Sequence, residues 1–212
     1  MSPKQTFYEN QAATIIANLK KRQMDGFYCP TKEDAVKKVM ELIPAESTVN
    51  FGGSMTLGES GVMDALTSRK DITLYDRSKA SSPEEVQEIY RKAFFCDYYL
   101  MSTNAITMDG ELVNIDGTGN RVSALIFGPS NVLIICGMNK VALHEEDAIL
   151  RARNYAAPPN CNRLNRNTPC SKTGYCADCL SPDCVCNHTV ITRRSGTPGR
   201  IKVLLVGEEL GY

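Results

Sequence analysis

The segment STVNFGGSMTLGESGVMDAL, residues 47–66, decides how the rest of the chain is read. Ser47 to Phe51 is a short β-rich run that stops at Gly52-Gly53-Ser54, and Thr56-Leu57-Gly58-Glu59 then supplies a capping-box pattern for a helix reaching about Thr67. Strand, glycine turn and helix in that order gather unpaired backbone N–H groups and the positive end of a helix dipole at one spot. The missing Cβ atoms let a ligand come close. Such a spot suits phosphate or carboxylate, which makes Gly52, Gly53, Ser54 and Thr56 candidate ligand-binding residues and Glu59 a candidate acid or base. The same residues also fit a tight turn followed by a helix cap, with Glu59 in the capping role.

The alternation continues on either side. A helix is expected from about Thr6 to Arg22, with Ile15, Ile16 and Leu19 at helical spacing, and a second from Thr31, with Asp34 three positions on, to Pro44. Ile72 to Tyr75 reads as a strand; Ser82-Pro83-Glu84-Glu85 then combines an N-cap, a proline at N1 and a glutamate at N3 for a helix to about Phe95 that turns Val86, Ile89, Tyr90 and Ala93 inward. Tyr98 to Met101 is the next strand. Strands alternating with helices predict an α/β fold, a mostly parallel sheet flanked by helices.

Further on, Glu111 to Ile115 and Val122 to Phe127 flank the turn-rich 116–120, a hairpin-like β extension, although the second run equally begins a helix. Asn131 to Cys136 is the most apolar strand and is expected at the centre of the sheet. A helix over 144–155, ended by Pro158-Pro159, leads to a Cys-rich loop, and strands at 188–192 and 201–206 close the chain.

At 212 residues the chain has the length of a single domain spanning 1–212, with the Cys-rich loop 161–188 inside it. Twenty-four basic residues balance twenty-four acidic ones, which leaves no long-range field to draw the protein onto nucleic acid or an anionic membrane. The N-terminus lacks the pattern of a secretory signal and no apolar stretch is long enough for membrane insertion, so a cytoplasmic location is expected.

A reducing compartment shifts nine cysteines away from disulfides and towards metal or redox chemistry. Cys29, Cys96 and Cys136 are scattered and read as inert core thiols. Cys170-x5-Cys176-x2-Cys179-x6-Cys186 offers four thiolates suited to zinc or an iron–sulfur cluster, with Cys161, Cys184 and His188 as extra candidates. A reduced, metal-free loop is the other reading of the same residues.

Polar side chains at strand ends converge on sites in α/β folds. Ser102 to Gly110 and Asn114 to Asn120 both follow strands, which nominates Asn104, Thr107, Gly117, Thr118 and Asn120 as ligand-binding and Asp109 and Asp116 as proton-transfer residues. Asp109-Gly110 and Asp116-Gly117 also fit simple turns.

Three stretches, FGGSMTLGESGVMDAL, TNAITMDGELVNIDGTGNRVSALIFGP and NTPCSKTGYCADCLSPDCVCN, together resemble the LUD-domain family, the lactate-utilisation proteins, over nearly the whole chain from about residue 8. The resemblance implies a fold of the sugar-phosphate isomerase and coenzyme A transferase group and a role in using small organic acids such as lactate, beside iron–sulfur or flavin redox partner proteins. In relatives of the methylthioribose phosphate isomerase type, a catalytic aspartate shortly precedes an Asn-x-x-Gly-Thr stretch. The matching position here is Asn104, and a neutral amide cannot take up a proton as a general base, so that mechanism does not carry over. Two other functions stay open: a non-catalytic metabolite-binding or assembly module, and a phosphosugar or acyl-transfer enzyme of the same fold group. The partners to consider are a small anionic metabolite, redox proteins and a second copy of the chain.

Overall fold

The structure, a computed structural model, describes residues 2–212. Ser2 caps α1 (Pro3–Lys21): its hydroxyl accepts the Gln5 amide while the Gln5 side chain accepts from Ser2, and Ala12, Ile15 and Leu19 are buried along one face. β1 (Asp25–Cys29) follows, then α2 (Lys32–Leu42), capped by Thr31. β2 (Thr48–Phe51) runs through Gly52-Gly53 into two short helices, α3 (Met55–Glu59) and α4 (Val62–Ser68). β3 (Thr73–Tyr75), α5 (Pro83–Lys92) capped by Ser82, and β4 (Tyr98–Met101) come next.

β5 (Ala105–Thr107), β6 (Leu112–Asp116), α6 (Asn120–Phe127) and β7 (Asn131–Gly137) lead to β8 (Val141–Ala142) and α7 (Glu145–Arg151). A π-helical turn, Ala152–Ala156, joins α7 to α8 (Ala157–Arg163), and α9 (Pro169–Thr173), β9 (His188–Thr192) and β10 (Ile201–Val206) complete the chain.

Six strands form one parallel sheet in the order β1-β10-β7-β4-β2-β3. Along β7 successive side chains point to opposite faces. Val132, Ile134 and Cys136 join the core beneath α1 and α6, whereas Leu133 and Ile135 join the core beneath α2, α3 and α4. Leu133, Ile134 and Ile135 are each fully buried, and burial of one such side chain contributes roughly 1.5–3 kcal/mol. A second sheet, β8-β5-β6-β9, packs Ala105, Val113 and Ile115 against Ala148 and Ala152 of the α7 region.

The expected α/β architecture with a parallel sheet is therefore present, with β7 in its interior, and the β extension is a four-stranded sheet. Two local expectations are corrected, one open alternative is decided and three strands are added. Residues 122–127 are helical in α6, because Val122, Ala124 and Leu125 form one buried face and Gly119, at φ 84°, turns the chain out of β6. The helix after the glycine turn is capped by Ser54 rather than Thr56 and breaks at Gly61, φ 77°, into two short pieces. Pro158 and Pro159 begin α8, where a first-turn proline loses no helical hydrogen bond, instead of ending the preceding helix. The strands β1, β5 and β8 are additions, β5 three and β8 two residues long.

Candidate functional site

Because the six strands are parallel, all their C-terminal ends lie on one edge. The chain passes from β2 outward to β3 and then returns to β4 on the other side of β2, so the direction of winding reverses between β2 and β4. A crevice at such a reversal is where open α/β sheets bind ligands. A cavity of about 480 Å³ opens there. The turn after β2 supplies Gly53 to Thr56, β4 leads into Ser102 to Asn104, the turn after β3 brings Arg77, and the turn after β7 brings Lys140. Asp116, Gly117, Thr118, Asn120 and Arg121, at the junction of β6 and α6, form the facing wall.

Lys140 is the chemically unusual group. It is 3% exposed, and its Nζ donates to Thr56 Oγ1 at 2.7 Å and Ser102 Oγ at 3.1 Å. Both partners are neutral hydroxyls, so no carboxylate is hydrogen-bonded to the ammonium, although the charge of nearby Glu59 acts on it against the effect of burial. Burial lowers its pKa from the ordinary 10.5 to about 8.

Arg121 is fixed in place. Its guanidinium donates to the carbonyls of Ser102 (3.1 Å) and Ile115 (2.7 Å) and to the amide oxygens of Asn104 (3.2 Å) and Asn114, and its Nε lies 3.3 Å from Asp116 Oδ2. Burial lowers the Arg121 pKa, and the neighbouring Asp116 works against that shift. The other carboxylate oxygen of Asp116 accepts the Gly119 N–H at 2.8 Å, so both of its oxygens are engaged. Asn104 also accepts the Ile115 N–H at 2.8 Å, and its amide braces the wall.

Five cations line the cavity, Arg77, Arg121, Lys140, Arg163 and Arg166, against the two carboxylates Asp116 and Asp183. Asp116 pairs with Arg121 and Asp183 with Arg166, which leaves a local positive excess although the whole chain is neutral. That excess raises the local concentration of anions. Gly53 has a specific part in it: a Cβ there would overlap Arg77 Nη2, so the glycine makes room for a guanidinium that also lies over the Tyr90 ring, 5.6 Å from its centroid. The helix dipole has little part, since α3 is five residues long and the Ser54 hydroxyl already accepts its Leu57 amide. Tyr212, also among the cavity residues, carries a hydroxyl that is buried without a hydrogen-bond partner among the described residues.

All six cysteines between Cys161 and Cys186 line a second cavity, of about 190 Å³. Cys161 and Cys184, extra candidates by spacing, share it with Cys170, Cys176, Cys179 and Cys186. Burial and then the neighbouring Cys184 thiol push the Cys186 thiol up to about 12. Among the described residues no three or more His, Cys, Asp or Glu side chains stand together in metal-holding geometry. Ile115, Cys184 and Val185 border both cavities.

The model of the LUD domain family matches residues 12–206. The chain belongs to the LUD domain family. Membership supports a role in lactate utilisation at the level of the family. The crystal structure of a DUF162 family protein from Deinococcus radiodurans superposes on this LUD domain with a TM-score of 0.50 at 12% identity, covering 97% of this chain and 99% of that one, a likeness of fold. The crystal structure of eIF2B delta from Chaetomium thermophilum aligns with a TM-score of 0.38 at 14% identity, over 68% of this chain and 54% of that one. No curated protein matches by sequence. Among the described residues no helix is long and apolar enough to cross a membrane.

In this LUD domain Gly53, Ser54, Thr56, Asn104 and the Asp116–Asn120 segment come together at one cavity. Gly52 adjoins it, beside the Tyr99 hydroxyl. Three nominated residues lie elsewhere. Glu59 accepts the Gly211 N–H at 2.6 Å and holds the C-terminal segment. Thr107 accepts the Glu111 N–H at 2.9 Å inside the β5–β6 connection. Asp109 sits at that connection beside α1, its carbonyl accepting from Arg22 at 2.6 Å. Arg77, Arg121 and Lys140 were not nominated from sequence; the available signals were the arginine directly after the DGTGN stretch and a lysine just past the most apolar strand.

Proposed function

We propose that this LUD domain binds a small organic acid anion, of which lactate is the type, in the cavity between the ends of β2 and β4, as a component of lactate utilisation. The observation that carries the reading is Lys140, a buried ammonium whose two partners are neutral hydroxyls, at the edge of a metabolite-sized cavity. Keeping that charge with no carboxylate in direct contact is costly. An entering carboxylate supplies a directly paired counter-charge, and the preset Thr56 and Ser102 hydroxyls keep the ammonium from reorganising as it does so. Arg77 offers a second cation at the Gly53 turn, while Arg121 is committed to the wall and keeps Asn104 and Asp116 in position.

Asp116 lines the cavity and would take part in proton transfer only by releasing one of its two contacts. Oxidation of lactate sends two electrons to an acceptor, a role that falls to iron–sulfur or flavin partner proteins. Calorimetric titration of the purified chain with lactate, a sugar phosphate and coenzyme A tests the proposal. Lactate binding that disappears in Lys140→Met supports it; binding of the sugar phosphate or coenzyme A with no lactate binding moves the function to phosphosugar or acyl-transfer chemistry.

A further inference from the structure

Lys4, Lys38 and Lys92 pair with carboxylates, and half-buried Lys202 donates to the Gly199 carbonyl and the Asn131 amide oxygen. Lys140 is more deeply buried than any of these and has only the hydroxyls of Thr56 and Ser102. Those hydroxyls give their own protons to the Leu210 and Thr103 carbonyls, each at 3.3 Å, and so accept two N–H bonds from Nζ. An ammonium brings three N–H donors, whereas a neutral amine brings two and keeps a lone pair. The two acceptors therefore satisfy the neutral amine in full. Its lone pair stays uncapped, at a residue that lines the anion cavity.

The charges around Nζ act mostly in the same direction. Arg151 of α7 and Arg121 of α6 oppose a further cation, while Glu59 of α3, which accepts the Gly211 N–H, favours one. Cys136 of β7 is no counter-charge near neutral pH, because burial pushes its thiol up to about 11. With burial as the largest effect, Lys140 comes down to about 8. At pH 7 roughly a tenth of it is then free amine, against roughly one part in 3,000 for an ordinary lysine.

Taking the cavity as a small-acid site, a reading on which this inference rests, we propose that Lys140 is a nucleophilic amine that captures a 2-oxo acid there as an imine. Oxidation of a 2-hydroxy acid yields a 2-oxo acid, so the amine meets the product side of the same chemistry. The Nζ lone pair adds to the C2 carbonyl carbon, and the two Nζ hydrogens leave with the carbonyl oxygen as water. No oxidant or reductant is consumed. Arg77, over the Tyr90 ring in the same cavity, is the cation left for the carboxylate, because Arg121 is committed to the wall. A 2-hydroxy acid has no carbonyl to capture and pairs with the ammonium form instead.

The test is reductive trapping. The full chain is incubated with pyruvate and cyanoborohydride at about pH 8, where half of Lys140 is free amine, and the labelled lysines are mapped by mass spectrometry. The expected result is one carboxyethyl group per chain, on Lys140, formed at least about 10-fold faster than on exposed Lys70. Excess lactate should slow that labelling, and Lys140→Met should lose it. Mapping of the parent chain fixes the site whether or not the variant folds. Lys140 unlabelled in a chain that binds lactate in calorimetry would overturn the imine and leave the acid site standing. Lys140 labelled in a chain that does not bind lactate would support the imine and remove lactate as the ligand. Equal labelling rates at Lys140 and Lys70 would overturn the imine, and the absence of both label and lactate binding would overturn both readings.

Discussion

Replacing Lys140 by methionine keeps most of the apolar stem and removes the ammonium. In the folded chain burial holds the Lys140 pKa at about 8 against the ordinary 10.5, a gap that corresponds to roughly 3 kcal/mol. The folded value lies below the unfolded one, so between these two pH values the unfolded chain binds more protons and stability rises with pH. Below about pH 8 the charge penalty is present in full; above about 10.5 it is gone. Against this, the substitution removes hydrogen bonds to Thr56 and Ser102, each worth about 1 kcal/mol. Thr56 keeps its bond to the Leu210 carbonyl and Ser102 its bond to the Thr103 carbonyl, so neither hydroxyl is left without a partner. The variant is therefore expected to be more stable than the parent by about 1 kcal/mol near neutral pH and less stable by about 2 kcal/mol once the pH exceeds the ordinary lysine value. Urea denaturation of both proteins at several pH values measures the difference. A variant that is destabilised equally across the whole range would refute the argument, because the parent ammonium would then carry no charge penalty.

Four further outcomes follow from the same geometry. Gly53→Val should fold normally, since its overlap is with the flexible end of Arg77, but should weaken lactate binding in calorimetry by displacing that guanidinium; unchanged affinity would remove the turn from the site. Arg121→Met strips the cation from buried Asp116 and leaves several wall acceptors unpaired, for an expected loss of about 3–5 kcal/mol in denaturant unfolding. Asp109→Asn alters a residue outside the cavity and should leave lactate affinity unchanged, a result that a proton-transfer role for Asp109 does not allow. Because the anion pairs with protonated Lys140, affinity should stay level below about pH 8 and decline above it; affinity rising with pH in that window would argue against the ammonium as the contact.

What could be read from sequence was whatever local chemistry encodes. Thr31 and Ser82 announce helix starts because their hydroxyls accept backbone amides three residues on, and the apolar run of β7 announces a strand covered on both faces. The run 122–127 stayed ambiguous because a short apolar segment satisfies strand and helix alike until Gly119 sets its direction. The candidate site was legible where polar residues follow strands, at Ser54, Asn104 and Asp116–Asn120. Arg77 and Lys140 were not, since a single cation in a turn looks like a solvated charge and becomes a site group only through burial beside distant Gly53, Thr56 and Ser102. Asp109 and Asp116 occupy similar Asp-Gly settings, and only the fold separates them, one beside α1 and the other against Arg121.

The most direct test of the anion cavity is a crystal structure of the protein soaked with lactate. The account predicts a carboxylate in contact with Lys140 Nζ and close to the Gly53–Thr56 turn. Lactate bound away from Lys140, or a cavity that remains filled only by solvent at saturating lactate, would contradict it.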